Sequence, residues 1–225
     1  MHLLAIETAT ETVSVALCIN GETVERYEHA PRQHAELLLP WIKQLLAEAE
    51  IGFGALDAIA FSRGPGSFTS LRIGIGVVQG LAWASDLPVI PVSSLAATAQ
   101  SALTEGISSA LIALDARMNE VFTGMFEANS DNIMIPVSAE RVCAPTDVQA
   151  PQNDDFYGVG IGFERYVELE QLSPQLLGVR TDIWPKASSV ISLAQHWLLS
   201  NTALPAEQAQ PVYLRDNVAK KTAER

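Results

Sequence analysis

Cysteine is scarce in this chain: only Cys18 and Cys143 occur in 225 residues. Cys18 lies in an apolar run with strand periodicity, where a free buried thiol is expected rather than one half of a disulfide. Histidine is nearly as sparse, at His2, His29, His34 and His196. His29 and His34 straddle a proline and lack the i, i+4 spacing of a helical zinc pair. His34, near a helix start, reads as a polar cap or an interface residue. No lysine lies between Lys43 and Lys186, so no Walker-type phosphate loop sits in that span. No apolar helical stretch reaches the ~20 residues that a bilayer requires. The most apolar one, Ile73 to Ser85, is bounded by Arg72 and Asp86. The opening MHLLAIETAT has neither the basic segment nor the long apolar core of a secretory leader. A cytoplasmic protein without membrane contact is expected.

Positive charge is also in deficit. Fourteen Lys and Arg face 26 Asp and Glu, a formal net charge of −12. Such a surface repels phosphate backbones, which argues against autonomous binding of tRNA or DNA. What the chain does have is apolar content, 48% of its residues. That is enough to bury a core in one large domain or two small ones.

LLAIETAT reads as a buried strand ending in a small-residue turn. TVSVALCI and ETVERYEH alternate on either side of Asn20-Gly21, a hairpin signal. A helix follows from Gln33 to Glu50, then the strand LDAIAFS, a helix from Thr69 to Ala84, the strand LPVIPVS and a helix from Ser94 to Leu103. The second half restarts with strands ALIALDAR and NEVFTGMF around a turn at Arg117 to Asn119. Strand-like IMIPVSAERV, the strand FYGVGIG, a helix from Phe163, the helix KASSVISLAQHWLLS and an extended PVYLRD follow. The polar KKTAER reads as a frayed tail. Two successive blocks that each open on a hairpin imply a duplicated α/β architecture with a reduced second copy. The expected division is 1–103 and 104–225, the last helix packing back on the first half.

Two helices carry more apolar surface than one sheet needs. On the first, Leu37, Leu38, Leu39, Trp41, Ile42, Leu45, Leu46 and Ala49 cover about half the circumference, where a stripe about 100° wide would suffice. On the second, only Arg72 and Gln79 are strongly polar, beside a face carrying Ile73, Gly76, Gly80 and Ala84. Gly76, Gly80 and Ala84 recur every four residues and share that face. Each internal glycine costs ~1 kcal/mol of helix stability relative to alanine. Keeping them implies a close approach by another backbone. Two placements are open: burial beneath this chain's own second half, or completion by another molecule.

The glycines also raise the possibility of a phosphate site. Gly64-Pro65-Gly66 lacks Walker spacing and reads better as a turn capped by Ser67 or Thr69. Gly74, Gly76 and Gly80 lie inside the helix rather than before it, unlike a dinucleotide fingerprint. Gly158, Gly160 and Gly162 alternate at a strand end, as a phosphate cradle or a tight turn. Ser67 and Ser70 have no nucleophile motif around them. Glu7 and Glu11 stand near the first turn, placed either to orient a metal-bound water or simply to be solvated.

Taken together, AIETAT, HAELLLPWI, FSRGPGSFTSLRIGIGVVQGLA, ALDARMNEVF and PVYLRD resemble the TsaB (YeaZ) family. The resemblance implies two actin-like, ribonuclease H-like lobes, the second reduced. It implies a non-catalytic scaffold for threonylcarbamoyladenosine formation beside the anticodon of tRNAs reading A-starting codons. In that scheme TsaC makes threonylcarbamoyl-adenylate and TsaD, the sister subunit, transfers the threonylcarbamoyl group. The scaffold dimerises with TsaD, helps recruit the ATPase TsaE, and pairs with itself when alone. The tRNA is met only indirectly.

The sister's two metal-binding histidines match Ser94 and Thr98 here, and neutral hydroxyls replace imidazole poorly at a transition-metal site. No metal and no resident cofactor are therefore expected. Weak ATP or ADP binding in complex with partners would use a remnant of Thr8, Glu11, Gly158, Gly160 and Gly162. The implied partner interface comprises His34, Leu37, Leu38, Trp41, Thr69, Arg72, Ile73, Gly76, Val77, Gly80 and Ala84. The rival classes are a metal-dependent glycoprotease-like peptidase and a small-molecule kinase of the actin-like superfamily.

Overall fold

The computed structural model describes residues 1–215, so KKTAER lies outside the described residues. The chain opens with β1 (His2–Glu7), β2 (Thr12–Ile19), β3 (Glu22–His29) and α1 (His34–Glu48). Next come β4 (Ala58–Gly64), α2 (Phe68–Ser85), β5 (Val89–Ser93) and α3 (Ser94–Thr104). These strands form one sheet in the order β3-β2-β1-β4-β5, antiparallel across the opening meander and parallel beyond β1. Asn20 and Gly21 both take positive φ at the first hairpin, the conformation a two-residue turn demands.

The second half repeats this order. β6 (Ser109–Arg117) and β7 (Glu120–Ala128) form the new hairpin, and β8 (Met134–Pro136) and β9 (Arg141–Cys143) both pair with β7. β10 (Phe156–Val159) and β11 (Leu176–Arg180) run parallel on the other side, giving β11-β10-β6-β7-β8. The two sheets thus share one connectivity, that of actin-like lobes. The reduction falls on the helices. The counterpart of α1 is a single 3₁₀ turn at Pro145–Asp147. The counterpart of α2 is α4 (Gly162–Arg165), one turn long, followed by a 3₁₀ turn.

Several local expectations are corrected. The helix from Phe163 stops after one turn, because Tyr166 takes an extended conformation. IMIPVSAERV is two short strands rather than one, broken where Ser138 Oγ takes the backbone N–H of Met125. β11 had no clear sequence signal; LLGVR is half-buried and lacks clean alternation. PVYLRD forms no strand over its described part, although the Val212 N–H donates to the Arg63 carbonyl.

Each sheet is covered on both faces. On the first, Leu4, Ile6, Val13, Val15, Leu17, Ile59 and Phe61 face α1 and α2. The opposite face presents Leu3, Ala5, Ala16, Cys18, Ala58 and Ala60 to α5 (Ala187–Trp197), which follows the second sheet. The alanines on β1, β2 and β4 let α5 lie close to this sheet. Helix α3, from the first lobe, packs in turn with β6, β7 and β8. The two helices also touch each other through Ser101 and Ser189, whose hydroxyls are 2.9 Å apart. The α5 N-terminus has no cap from its own segment. Ser14 and Glu25 of the first sheet supply it, accepting the N–H groups of Ala187 and Ser188, each at 2.9 Å.

Helix α2 is positioned by contacts too close for a side chain. A Cβ on Gly66 would stand 2.2 Å from the Ala9 carbonyl oxygen, and one on Gly74 would stand 2.1 Å from Thr8 Oγ1. Gly76 and Gly80 differ, with no atom of the described residues outside their own helix within 4 Å of a built Cβ. Gly74→Ala is therefore expected to destabilise the fold by ~1–3 kcal/mol through overpacking. Gly76→Ala and Gly80→Ala should each stabilise the monomer by ~0.5–1 kcal/mol through helix propensity. Urea unfolding at concentrations where the chain is monomeric distinguishes the two responses.

Glu7 ends β1 as a fully buried carboxyl. Its Oε1 accepts the Ala9 N–H at 2.5 Å, while Oε2 has no partner. Burial pushes the group from an ordinary 4.5 up to about 7, against hydrogen bonds from Ala9, Ser62 and Thr8 that pull it down. Between those values the folded state keeps a proton that the unfolded chain has lost. Stability should fall as pH rises from about 4.5 to 7 and stay lower above, by up to roughly 3 kcal/mol. Glu7→Gln is expected to flatten that slope in urea unfolding measured between pH 4.5 and 8.

Candidate functional site

A cleft of about 380 Å³ opens between the lobes. The β1–β2 turn and the start of α2 form one wall, the end of β6 and Arg165 of α4 form another, and Val212 to Arg215 close the side. Its charges neutralise one another. The Glu11 carboxylate lies 3.6 Å from the Arg117 guanidinium, 3.8 Å from that of Arg165 and 3.6 Å from His29 Nε2. Asp115, nearly buried, pairs with Arg165, lies 3.4 Å from Arg117 and accepts the Tyr166 hydroxyl at 3.0 Å. Burial and that bond to Asp115 push the Tyr166 phenol up from its ordinary value.

Arg215 reaches back 95 residues to pair with Glu120, and it also donates to the Ala116 carbonyl at 3.1 Å. It thereby secures the β6–β7 turn, where Arg117, Met118 and Asn119 all hold positive φ. Such a run in non-glycine residues persists only where its surroundings over-determine it.

The sequence-based nucleotide remnant does not assemble here. Thr8 is buried and fills the gap left by Gly74. Gly160 takes φ +111°, and Cβ atoms on Gly160 and Gly162 would stand 2.5 Å and 2.7 Å from the Ala113 carbonyl oxygen. A Cβ on Gly158 would meet the Phe163 ring at 2.5 Å. These glycines seat a tight βα turn on β6, so of the two readings the turn holds and the remnant set of Thr8, Gly158, Gly160 and Gly162 does not line the cleft. Of the five residues only Glu11 lines the cleft, and it is already paired. The hydroxyls matching the sister's ligands are no better suited to a metal. Thr98 Oγ1 donates to the Ser94 carbonyl at 2.8 Å within α3, and Ser94 Oγ is buried without a partner.

Nucleophilic chemistry has no assembled apparatus among the described residues. Ser67 and Ser70 bond to each other at the α2 cap, 3.0 Å apart, and neither is bonded to a histidine. His34 Nε2 donates to the Thr10 carbonyl at 3.0 Å. Burial pushes that imidazole below its ordinary pKa, with hydrogen bonds to Thr10 and Thr12 working the other way.

The second surface is the outer face of α1 and α2. His34 and Leu38 are removed from the predicted interface set: both are buried in this chain, Leu38 within the core beneath α1. Leu37, Trp41, Ile73 and Val77 are half-buried. Thr69, Arg72, Gly76, Gly80 and Ala84 are exposed along α2. The face is larger than the sequence alone outlined. Trp83 is 74% exposed, and Phe68 and Leu39 stand well out of the core. Trp83 lies seven residues after Gly76, a helical spacing that would have placed it on the same face. Ala206 and Glu207, from the returning chain end, help wall a shallow depression over Gly76, Gly80 and Trp83. No local sequence signal marks that wall, since it forms only where Gln79 Nε2 donates to the Ala209 carbonyl.

Residues 26–223 match the family model described as TsaD, tRNA N6-adenosine threonylcarbamoyltransferase. A Haemophilus influenzae tRNA threonylcarbamoyladenosine biosynthesis protein TsaB is 39% identical over 97% of this chain and 95% of its own length. The Escherichia coli TsaB is 36% identical over 97% and 96%. The solved YeaZ structure from Pseudomonas aeruginosa superposes with a TM-score of 0.87 at 42% identity, covering 95% of this chain and 99% of that one. A second solved structure, described as similar to the peptidase YeaZ of the same organism, gives 0.89 at 43% identity with the same coverage. With its duplicated lobes and near full-length relatives, the chain belongs to the TsaB (YeaZ) family of tRNA threonylcarbamoyladenosine biosynthesis proteins.

Proposed function

We propose that this chain is a non-catalytic scaffold subunit in the cytoplasm, needed for threonylcarbamoyladenosine formation beside the anticodon of tRNAs reading A-starting codons. In this reading the sister subunit TsaD carries out the transfer. This chain docks on it through the outer face of α1 and α2, helps recruit TsaE, and pairs with itself when alone. The observation that carries the reading is the unfilled side of α2. Gly76 and Gly80 are kept at a cost in helix propensity, yet no described atom outside their own helix comes within 4 Å of a Cβ built on either. Exposed Trp83 and Phe68 extend that side into an apolar face of the kind partners cover. The self-paired cleft supports the non-catalytic part, because its carboxylates and guanidinium groups are already engaged with one another. The net charge of −12 supports tRNA contact through the partner rather than through this chain. Weak ATP or ADP binding in complex with partners belongs to the same reading.

Depleting the protein and analysing tRNA nucleosides by mass spectrometry should show loss of threonylcarbamoyladenosine; an unchanged level would remove the central claim. Gly76→Leu and Ile73→Arg are expected to leave a folded monomer with a near-native circular dichroism spectrum. Both should abolish co-elution with TsaD and self-association on gel filtration. Retained pairing in both variants would move the interface elsewhere.

A further inference from the structure

The last described residues, Val212 to Arg215, run along the side of the cleft and are tied to both lobes. On the first lobe the Val212 N–H donates to the Arg63 carbonyl at 2.8 Å. A Cβ on Gly64 would stand 3.2 Å from the Val212 carbonyl oxygen, so the segment lies close on the end of β4. Tyr213 leans on α2: its ring centroid is 5.6 Å from that of Phe68, and its hydroxyl accepts Arg72 Nε at 3.1 Å. On the second lobe one side chain makes the tie. Arg215 pairs with Glu120, donates to the Ala116 carbonyl at 3.1 Å and meets Met118 Sδ at 3.6 Å.

This segment is too short to be slack. Three residue steps of ~3.3–3.6 Å each reach at most about 10 Å, so the backbone from Val212 to Arg215 cannot lengthen to follow a separating lobe. The helices that join the lobes, α3 and α5, supply none of the described residues lining the cleft. The lobes can therefore turn about that layer with the cleft on the free side, a hinge that ties across the cleft oppose. Besides the strap, those ties are Arg117 and Arg165, 3.6 Å and 3.8 Å from the Glu11 carboxylate. Arg117 belongs to the turn that Arg215 secures, where three non-glycine residues in a row hold positive φ. Without Arg215 that turn loses the donor shared by Glu120 and the Ala116 carbonyl, and its strain favours relaxation. Arg117 then withdraws from Glu11. One guanidinium thus governs two of the three ties.

We propose that residues 212–215 form a strap that latches the cleft, with Arg215 as its releasable end, and that release lets the lobes turn apart. The end on the first lobe combines a backbone hydrogen bond, a ring contact and the Arg72 bond, whereas the other end hangs on one side chain. Latched, the cleft keeps Glu11 beside Arg117 and neutralises its own charges. Released, it separates them and presents both to whatever enters. The proposal does not depend on what covers α2.

The test is the distance between the lobes in the full chain, measured by pulsed electron resonance. Nitroxide labels go on Glu28→Cys and Glu164→Cys, both exposed and one on each lobe, with Cys143→Ser removing the half-buried thiol. Excess unlabelled chain suppresses distances between copies. The parent should give one narrow distribution. Arg215→Ala, and independently Glu120→Gln, should lengthen the mean distance by about 2 Å or more or add a second, longer population. Circular dichroism verifies that each variant is folded. An unchanged distribution in both variants overturns the latch. So does an equal lengthening in Arg180→Ala, which removes an exposed ion pair with Asp182 away from the strap.

Discussion

The contact on which the remaining features depend is the one between the β1–β2 turn and the backbone of α2. Ala9 and Thr8 press against Gly66 and Gly74 at distances no Cβ would tolerate. This sets the rotation of the helix about its own axis. Gly74 lies about 160° from Gly76 around the helix, so holding Gly74 inward turns Gly76 and Gly80 outward. The same turn carries Glu11 into the cleft and offers the Thr10 carbonyl to His34. One close approach thus positions the start of α2, one wall of the cleft and the open face together.

The two lobes are joined by exchange as well as by adjacency. Each lobe's last helix lies in the layer between the sheets, α3 with β6 to β8 and α5 on β1, β2 and β4. The N-terminus of α5 is capped by Ser14 and Glu25 of the other sheet. Ser93, which caps α3, is bonded in turn to Glu140 of the second lobe, and Arg63 lies 3.9 Å from the same carboxylate. Separating the lobes would leave helix ends and part-buried polar groups unsatisfied, a cost that favours keeping the pair together. The cleft between the lobes is lined by side chains that form ion pairs with one another.

Much of the fold is legible from pattern. The strands β1 to β7 and the helices α1, α2, α3 and α5 follow from periodicity and turn residues, because each is long or bounded by a strong break. The shortened elements are not legible in the same way. α4 and β11 have too few residues for a period to register, and Tyr166 ends a helix that the composition alone would continue. Among site residues, the shared face of Gly76 and Gly80 follows from their spacing, though not its openness, and His34 and Leu38 share the helical stripe of α1 in sequence and yet turn inward. Apolar spacing identifies a stripe but not which part of a wide stripe the sheet will cover. The pairings of Glu11 with Arg165 and of Arg215 with Glu120 join residues far apart in the chain, and no local pattern encodes them.

By itself, the sequence determined the element order, the duplicated architecture, the surplus apolar surface on two helices and the family. Each of these rests on local chemistry: periodicity, turn conformation, helix propensity or residue-by-residue likeness. Only the tertiary structure decided which glycines are filled and which are open. That depends on what another part of the chain places within 4 Å, and Thr8, Ala9 and Ala113 occupy that space at Gly74, Gly66 and Gly160 while no described residue does so at Gly76 and Gly80. The same long-range convergence decided between a cradle and a packed turn at Gly158 to Gly162, and left the outer side of α2 uncovered by any described residue.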